Sequence, residues 1–198
     1  RLTMTLSASL LWLIPATPLA ASVFGLFAPR TARTLPIAGA LLGLVAALGL
    51  SVAALAGALV DPAVRATSDF AWFTFGAQTL RLGWLLDPLA GFMCVLVTLI
   101  GLLVALFSTA YLRHDPRIGR FFGFLSLFVA AMLGLLVTNS LLLLFICWEL
   151  VGLASYLLIG FWYERPAAAA AAKKAFITTR IGDLGFLIGL VWLHQATG

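Results

Sequence analysis

The sequence has 198 residues, of which 63% are hydrophobic and only 10% are charged, with a formal net charge of +5 at pH 7. A soluble domain is nearer half apolar and one quarter charged, so this composition excludes a globular protein surrounded by water. The basic residues lie between apolar runs, where they indicate membrane topology and not nucleic-acid binding.

Six apolar segments are long enough to cross a membrane as helices, because about 20 residues rising about 1.5 Å each span the hydrocarbon core. We expect these spans at about Leu6–Phe27, Leu35–Val60, Pro88–Tyr111, Phe121–Val137, Leu141–Tyr163 and Pro166–His194. The predicted fold class is therefore an all-α polytopic membrane protein with about six transmembrane helices.

The first segment has an alternative interpretation. It contains Pro15 and Pro18, which would kink a helix, and the run Pro18-Leu-Ala-Ala resembles the cleavage site of a secretory signal peptide. The apolar run continues past that site, which favours a retained span. The sequence begins with Arg1 and its last apolar run reaches almost to Gly198, so we expect a fragment of a longer protein.

The segment Asp61–Asp87 between the second and third spans differs in composition. Its core, Asp69–Leu85, is aromatic and β-favouring, with Gly76 near the centre. This pattern predicts a short extracytoplasmic β-hairpin on the membrane surface, although an irregular aromatic loop at the interface fits equally well. We accordingly divide the chain into a helix pair (1–60), the hairpin segment (61–87) and a four-helix segment (88–198) that begins the translocation domain discussed below.

The loops between the predicted spans differ in charge. Ala28–Thr34, Leu112–Arg120 and Glu164–Lys174 are rich in Arg and Lys, and alternation of six spans places all three on one side. The hairpin segment and the short turn Thr138–Ser140 lie on the other side. The positive-inside rule makes the basic side cytoplasmic and puts the N-terminus outside.

Glu149 lies near the middle of the fifth span. A charge at the centre of a bilayer costs about 2.5–3.5 kcal/mol, and chains retain such residues when they use them. We therefore interpret Glu149 as functional. The alternative is a protonated structural glutamate that joins two helices through a hydrogen bond.

The sixth span carries several charges. Lys173, Arg180 and Asp183 fall on one helical stripe, and the spacing of Arg180 and Asp183 allows an ion pair within the helix. For Lys173 and Lys174, an alternative is that they extend to the headgroups. A buried carboxylate beside a movable cation can load and release a proton, so this span supplies candidate partners for Glu149.

Nothing in the sequence predicts a cofactor or a metal site. Cys94 and Cys147 lie in apolar runs and are interpreted as small buried hydrophobic residues, and His114 and His194 as solvated or interfacial ones. There is no Gly-rich phosphate loop, so we expect no direct NADH binding.

Several motifs carry a resemblance to a known family. Trp148–Tyr163, beginning Trp-Glu-Leu-Val-Gly, resembles the fifth-helix motif of the largest antiporter-like subunit of respiratory complex I, called NuoL or ND5. Lys174–Phe186 is similar to its sixth-helix motif, and Leu86–Leu89 and Arg120–Phe122 also fit. The resemblance covers residues 85–198 well, and residues 1–84 only in hydropathy and hairpin position.

The resemblance implies a proton-translocating membrane subunit of NADH:quinone oxidoreductase, in which quinone reduction elsewhere in the complex drives pumping and this subunit has no redox active site of its own. Glu149 corresponds to the family's fifth-helix glutamate, whose lysine partner would lie beyond this sequence. The charged residues of the sixth helix correspond to Lys174, Arg180 and Asp183. The implied partners are other membrane subunits, especially a neighbouring antiporter-like subunit, in a bacterial inner membrane.

Two other functions stay open at this point. Large subunits of multi-subunit cation/proton antiporters and of related ion-coupled uptake complexes share this architecture. A purely structural membrane scaffold would also have six apolar spans. The run Arg180-Ile-Gly-Asp183 favours complex I.

Overall fold

The structure, a computed structural model, describes residues 8–29, 33–60, 66–75 and 78–197. Within these residues the chain forms a short 3₁₀ turn, six α-helices and one pair of strands. The helices are α1 (Leu13–Phe27), α2 (Thr34–Val60), α3 (Pro88–Tyr111), α4 (Ile118–Val137), α5 (Leu141–Ile159) and α6 (Pro166–Thr197). Strands β1 (Ala66–Phe75) and β2 (Gln78–Leu86) lie between α2 and α3. Each predicted span coincides with a helix long and apolar enough to cross a membrane, which confirms the predicted fold class.

Some helix ends differ from the sequence-based estimates. The turn Ala8–Leu10 precedes α1, and the predicted start at Leu6 lies outside the described residues. The fourth helix begins at Ile118, three residues before the predicted Phe121. The prediction began later because a hydropathy pattern excludes the charged residue in the first turn. The fifth ends before Gly160, whose backbone N–H still bonds the carbonyl of Tyr156. Aromatic residues beyond that glycine extend the apolar run but not the helix.

The segment between α2 and α3 is a hairpin. The strands pair antiparallel from Ala66 opposite Leu86 to Phe75 opposite Gln78, with one irregularity near residue 72. This confirms the predicted hairpin over the irregular loop, while Gly76 lies outside the described residues. Trp72 on β1 is 56% exposed, which suits an aromatic side chain at a membrane interface.

The hairpin packs on the turn between α4 and α5. Asn139 donates a 2.5 Å hydrogen bond from its side-chain amide to the carboxylate of Asp69, and Trp84 forms a β-bridge with Thr138. Gly83 allows this approach, because a Cβ there would collide with the Asp69 carboxylate. The two segments predicted to share one end of the bundle therefore do so.

The opposite end gathers the three basic loops. Arg33 donates through Nη2 to the carbonyl oxygens of Arg113 (3.1 Å) and Asp115 (2.7 Å), which joins the α1–α2 and α3–α4 loops. Arg117 pairs with Glu164 at 2.5 Å and so joins the α5–α6 turn to the same cluster. The predicted grouping of these loops is confirmed. Three other charged residues of the loops used in the topology prediction, Arg30, Asp61 and Arg65, lie outside the described residues.

Asp115 is the acidic centre of this basic end. Partial burial raises the pKa of Asp115, but hydrogen bonds from the Trp162 indole and from the Arg117 backbone, together with the Arg117 charge, outweigh it. The pKa of the carboxyl group therefore lies below its ordinary value. The Trp162 Nε1–Asp115 Oδ2 distance is 2.9 Å, so this bond connects the α5–α6 turn to the α3–α4 loop.

Helix α1 lies at the centre of the packing, between α2 and α4. Leu11 and Ile14 are fully buried, and a Cβ at Gly25 would lie 3.2 Å from the Cα of Gly123 on α4. Such close backbone approach through small residues is typical of membrane helix pairs. Pro18 is inside the helix, which nevertheless continues to Phe27. This packing makes the first helix part of the core of the described bundle.

Helices α5 and α6 form the edge of the described bundle. The last helix packs chiefly against α5, and its large apolar residues, including Ile181 and Trp192, are 68% and 73% exposed. Glu149 on α5 meets the Arg180–Asp183 pair of α6 at this contact.

Candidate functional site

The centre of the site is an ion pair between α5 and α6. Arg180 Nη1 contacts Glu149 Oε2, and Arg180 Nη2 also donates to the backbone carbonyl of Glu149 at 3.1 Å. Glu149 is about 12 Å along α5 and Arg180 about 21 Å along α6, which places the pair well inside both helices. The two side chains are 29% and 26% exposed, so the pair is partly buried.

Asp183 is a second carboxylate on the same arginine. Its Oδ2 lies 3.4 Å from Arg180 Nη1, one turn along α6, as the sequence spacing predicted. Its Oδ1 accepts a 2.8 Å hydrogen bond from the indole Nε1 of Trp148 on α5. Asp183 is 7% exposed. One cation therefore pairs with two carboxylates, and each carboxylate contacts a side chain of the other helix.

Two further residues shape the position of the guanidinium. The ring of Phe176, one turn before Arg180 on α6, lies 4.6 Å from the guanidinium carbon in a cation–π contact. On α5, a Cβ at Gly152 would lie only 2.8 Å from Arg180 Nη2, so the absence of a side chain there leaves the space that the guanidinium fills. Arg180 Nε is buried and has no hydrogen-bond acceptor among the described residues.

The charged cluster borders two grooves. Asp183 lines a groove of about 670 Å³ between α4, α5 and α6, together with the hydroxyl-bearing residues Ser155, Thr178 and Thr179. Glu149 and Arg180 line another groove, of about 380 Å³. The arginine thus connects a carboxylate on one groove to a carboxylate on the other. Chemically, such an arrangement can hold a proton on either side and exchange it as the arginine moves.

Lys174 is not brought into this cluster. Its side chain is exposed and forms no ion pair with any described residue, although its carbonyl accepts a 2.9 Å hydrogen bond from Thr178 Oγ1. It precedes Arg180 by about 9 Å along the helix. Of the four predicted site residues, the structure joins Glu149, Arg180 and Asp183.

Trp148 and Phe176 were not among the predicted site residues. A signal existed for Phe176, because residues four apart on a helix lie on one face. No comparable signal existed for Trp148, since its partner is on another helix and the register between helices is set by packing. His114 and His194 are exposed, in keeping with their interpretation as solvated or interfacial residues.

Comparison with known proteins gives two family matches along this chain. Residues 72–122 match the family model described as NADH-Ubiquinone oxidoreductase (complex I), chain 5 N-terminus. Residues 138–198 match the family model described as NADH:quinone oxidoreductase/Mrp antiporter, TM. The second match contains all four predicted site residues.

Individual relatives extend the likeness to nearly the whole chain. NAD(P)H-quinone oxidoreductase chain 5 of Synechocystis is 41% identical, covering 98% of this chain and 30% of the relative. The chloroplastic subunit 5 of Mesostigma viride is 40% identical over 94% of the chain, and F(420)H(2) dehydrogenase subunit L of Methanosarcina mazei is 42% identical over 92%. This chain spans less than a third of the length of these relatives.

A solved structure shows a similar fold. A chain of the membrane-bound sulfane sulfur reductase, an archaeal respiratory membrane complex, superposes with a TM-score of 0.71. The match covers 96% of this chain and 37% of that one at 18% sequence identity, so it concerns the fold alone. The helical membrane architecture is therefore shared with a subunit of a respiratory complex.

Proposed function

Since this chain belongs to the chain 5 (NuoL/ND5) family of NADH:quinone oxidoreductase subunits and is an integral membrane protein, we propose that it forms part of a proton-translocating subunit of such a complex. Quinone reduction in other subunits supplies the energy, and this chain contributes proton-carrying residues and no redox centre. Its partners are the neighbouring membrane subunits of the complex, in a bacterial plasma membrane.

The observation that supports this proposal is the sharing of Arg180 between Glu149 and Asp183 inside the membrane-spanning helices. When the guanidinium stays against Glu149, that carboxylate is held ionised, and when it moves towards Asp183, Glu149 can take up a proton. The grooves beside the two carboxylates provide routes on either side. Glu149 and Asp183 are the proposed proton-carrying groups, and Arg180 is the cation that controls them.

Lys174 has a separate place in the proposal. Its exposed side chain lies between the cytoplasmic end of α6 and the arginine, about 9 Å away along the helix. We assign it to proton entry from the basic side, not to the ion cluster. The segment 88–198 then acts as the start of the translocation domain, with 1–60 and the hairpin segment 61–87 supporting it.

The direct test replaces Glu149 by Gln in the full-length protein within its complex. We expect an assembled complex whose proton yield per electron in membrane vesicles is clearly reduced, and a reduction of the same kind for Asp183→Asn. Glu164→Gln is the matched control, because it makes the same chemical change in an exposed turn outside the membrane. A normal proton yield in Glu149→Gln would remove the basis of the proposal.

The same vesicles distinguish the other functions. A cation/proton antiporter subunit would produce a sodium-dependent pH change without any redox substrate, and the relatives described above do not favour that function. A structural scaffold would respond to Glu149→Gln and Asp183→Asn only through assembly, with the proton yield of each assembled complex unchanged.

A further inference from the structure

A groove of about 290 Å³ lies at the basic end of the bundle, where the ends of α4, α5 and α6 meet. It is separate from the ion cluster of Glu149 and Arg180. Its rim carries Arg117 and Arg120 from the start of α4 and Lys173 from the second turn of α6. Deeper in the groove the lining is apolar and includes Phe124 and Leu157.

Two of the three rim cations have no counter-charge among the described residues. Arg117 is already paired with Glu164 at 2.5 Å and lies 3.7 Å from Asp115. Arg120 and Lys173 are exposed, and neither side chain forms an ion pair or hydrogen bond with the residues that the structure describes. Both line the same groove, Arg120 from α4 and Lys173 from α6.

The lining of the groove changes from charged to apolar along the helices. From Arg120 to Phe124 the lining descends about 6 Å along α4, from a guanidinium to an aromatic ring. On the α6 side it includes Ala169 and Ala172, whose small side chains leave room beside α5. A volume of about 290 Å³ and this change of polarity suit a phosphate group and the first part of one acyl chain.

We infer that this groove binds an anionic phospholipid, with the phosphate held by Arg120 and Lys173 and the start of an acyl chain lying against Phe124 and Leu157. Basic recesses between membrane helices on the cytoplasmic side are suited to anionic headgroups, and that leaflet is negatively charged. The bound lipid bridges α4 and α6, which contact α5 on either side. The lipid thereby stabilises the position of α6, the edge helix, at the basic end of the bundle.

The binding test compares two double variants of the full-length protein in its complex. Arg120→Gln/Lys173→Gln removes the unpaired rim cations, and Arg113→Gln/Arg165→Gln removes the same charge from the same end outside the groove. The purified complexes are titrated with dioleoylphosphatidylglycerol, with dioleoylphosphatidylcholine and with inorganic phosphate, and bound molecules are counted by native mass spectrometry. We expect the groove variant to bind phosphatidylglycerol about 30-fold more weakly, which is about 2 kcal/mol for two cations.

The control variant is expected to bind phosphatidylglycerol like the unaltered complex. Equal affinity in both double variants, or equal binding of phosphatidylcholine, would overturn the inference. So would full displacement of the lipid by inorganic phosphate, because the apolar floor would then contribute nothing.

A second experiment identifies the occupant directly. Photoreactive benzoylphenylalanine is introduced in place of Phe124 in the full-length protein, and the complex is irradiated in vesicles that contain phosphatidylglycerol. A covalent lipid adduct is the expected product. Cross-linking to another segment of the same chain or to a neighbouring subunit would show that protein fills the groove and would refute the lipid assignment.

Discussion

Replacing Gly152 by Ala should displace Arg180 from the backbone carbonyl of Glu149 without altering any charge. The added Cβ would lie 2.8 Å from Arg180 Nη2 and 3.7 Å from the guanidinium carbon. Because ordinary contact begins near 3.4 Å, the guanidinium must retreat by about half an ångström. Its 3.1 Å hydrogen bond to the Glu149 carbonyl would then approach the length at which hydrogen bonds are lost.

The energetic effects oppose each other. A hydrogen bond from a charged donor contributes about 1.5–3 kcal/mol, so its loss changes the population of the paired arrangement by about tenfold or more. Alanine in a helix is more favourable than glycine by about 1 kcal/mol, which offsets part of the cost to stability. We therefore expect nearly normal assembly together with a several-fold lower proton yield per electron.

The assay measures acidification and electron transfer in the same membrane vesicles, with Gly185→Ala as the matched control. Gly185 is also helical, and a Cβ there would meet no described atom within 4 Å. If Gly152→Ala and Gly185→Ala both keep the normal proton yield, then the close approach of Arg180 to Gly152 does not contribute to coupling and the reasoning is wrong.

Two other predictions concern tryptophans. Trp148→Phe keeps the ring contact with Phe186, 5.8 Å between centroids, but removes the hydrogen-bond donor to Asp183. Stability against thermal unfolding should fall by about 1.5–3 kcal/mol and the proton yield should fall as well. The exposed control Trp192→Phe should change neither, and equal behaviour of the two variants would contradict the prediction. Trp162→Phe removes a hydrogen bond that helps hold the pKa of Asp115 below its ordinary value. The variant should therefore be less stable than the unaltered protein at neutral pH, and this difference should shrink as the pH falls below about 4. Thermal unfolding of the complex measures it. A loss of stability that grows as the pH falls would contradict this prediction.

The fold was largely predictable because hydrophobic length is a local property. Each of the six spans could be identified from its own residues, including the start of α3 at Pro88. The structure adds the cap of that helix, where the Asp87 carboxylate accepts a hydrogen bond from the Ala90 backbone N–H at 2.7 Å. The aromatic, β-favouring composition fitted a hairpin and an irregular loop equally well, and only the structure decided between them and set the register of the strands. The contact of Asn139 with Asp69 joins residues seventy positions apart, and no local pattern specifies it.

The candidate site, like the fold, was predictable from the sequence only in part. Sequence alone determined that Glu149, Arg180 and Asp183 are costly charges within membrane spans, and that Arg180 and Asp183 share a helix face, because these follow from hydropathy and helical spacing. Only the tertiary structure decided that Arg180 reaches Glu149, that Trp148 holds Asp183, and that Lys174 lies apart. The rotation and depth of α6 against α5 depend on close packing at positions such as Gly152 and Gly160, and the energy of that packing belongs to both helices together.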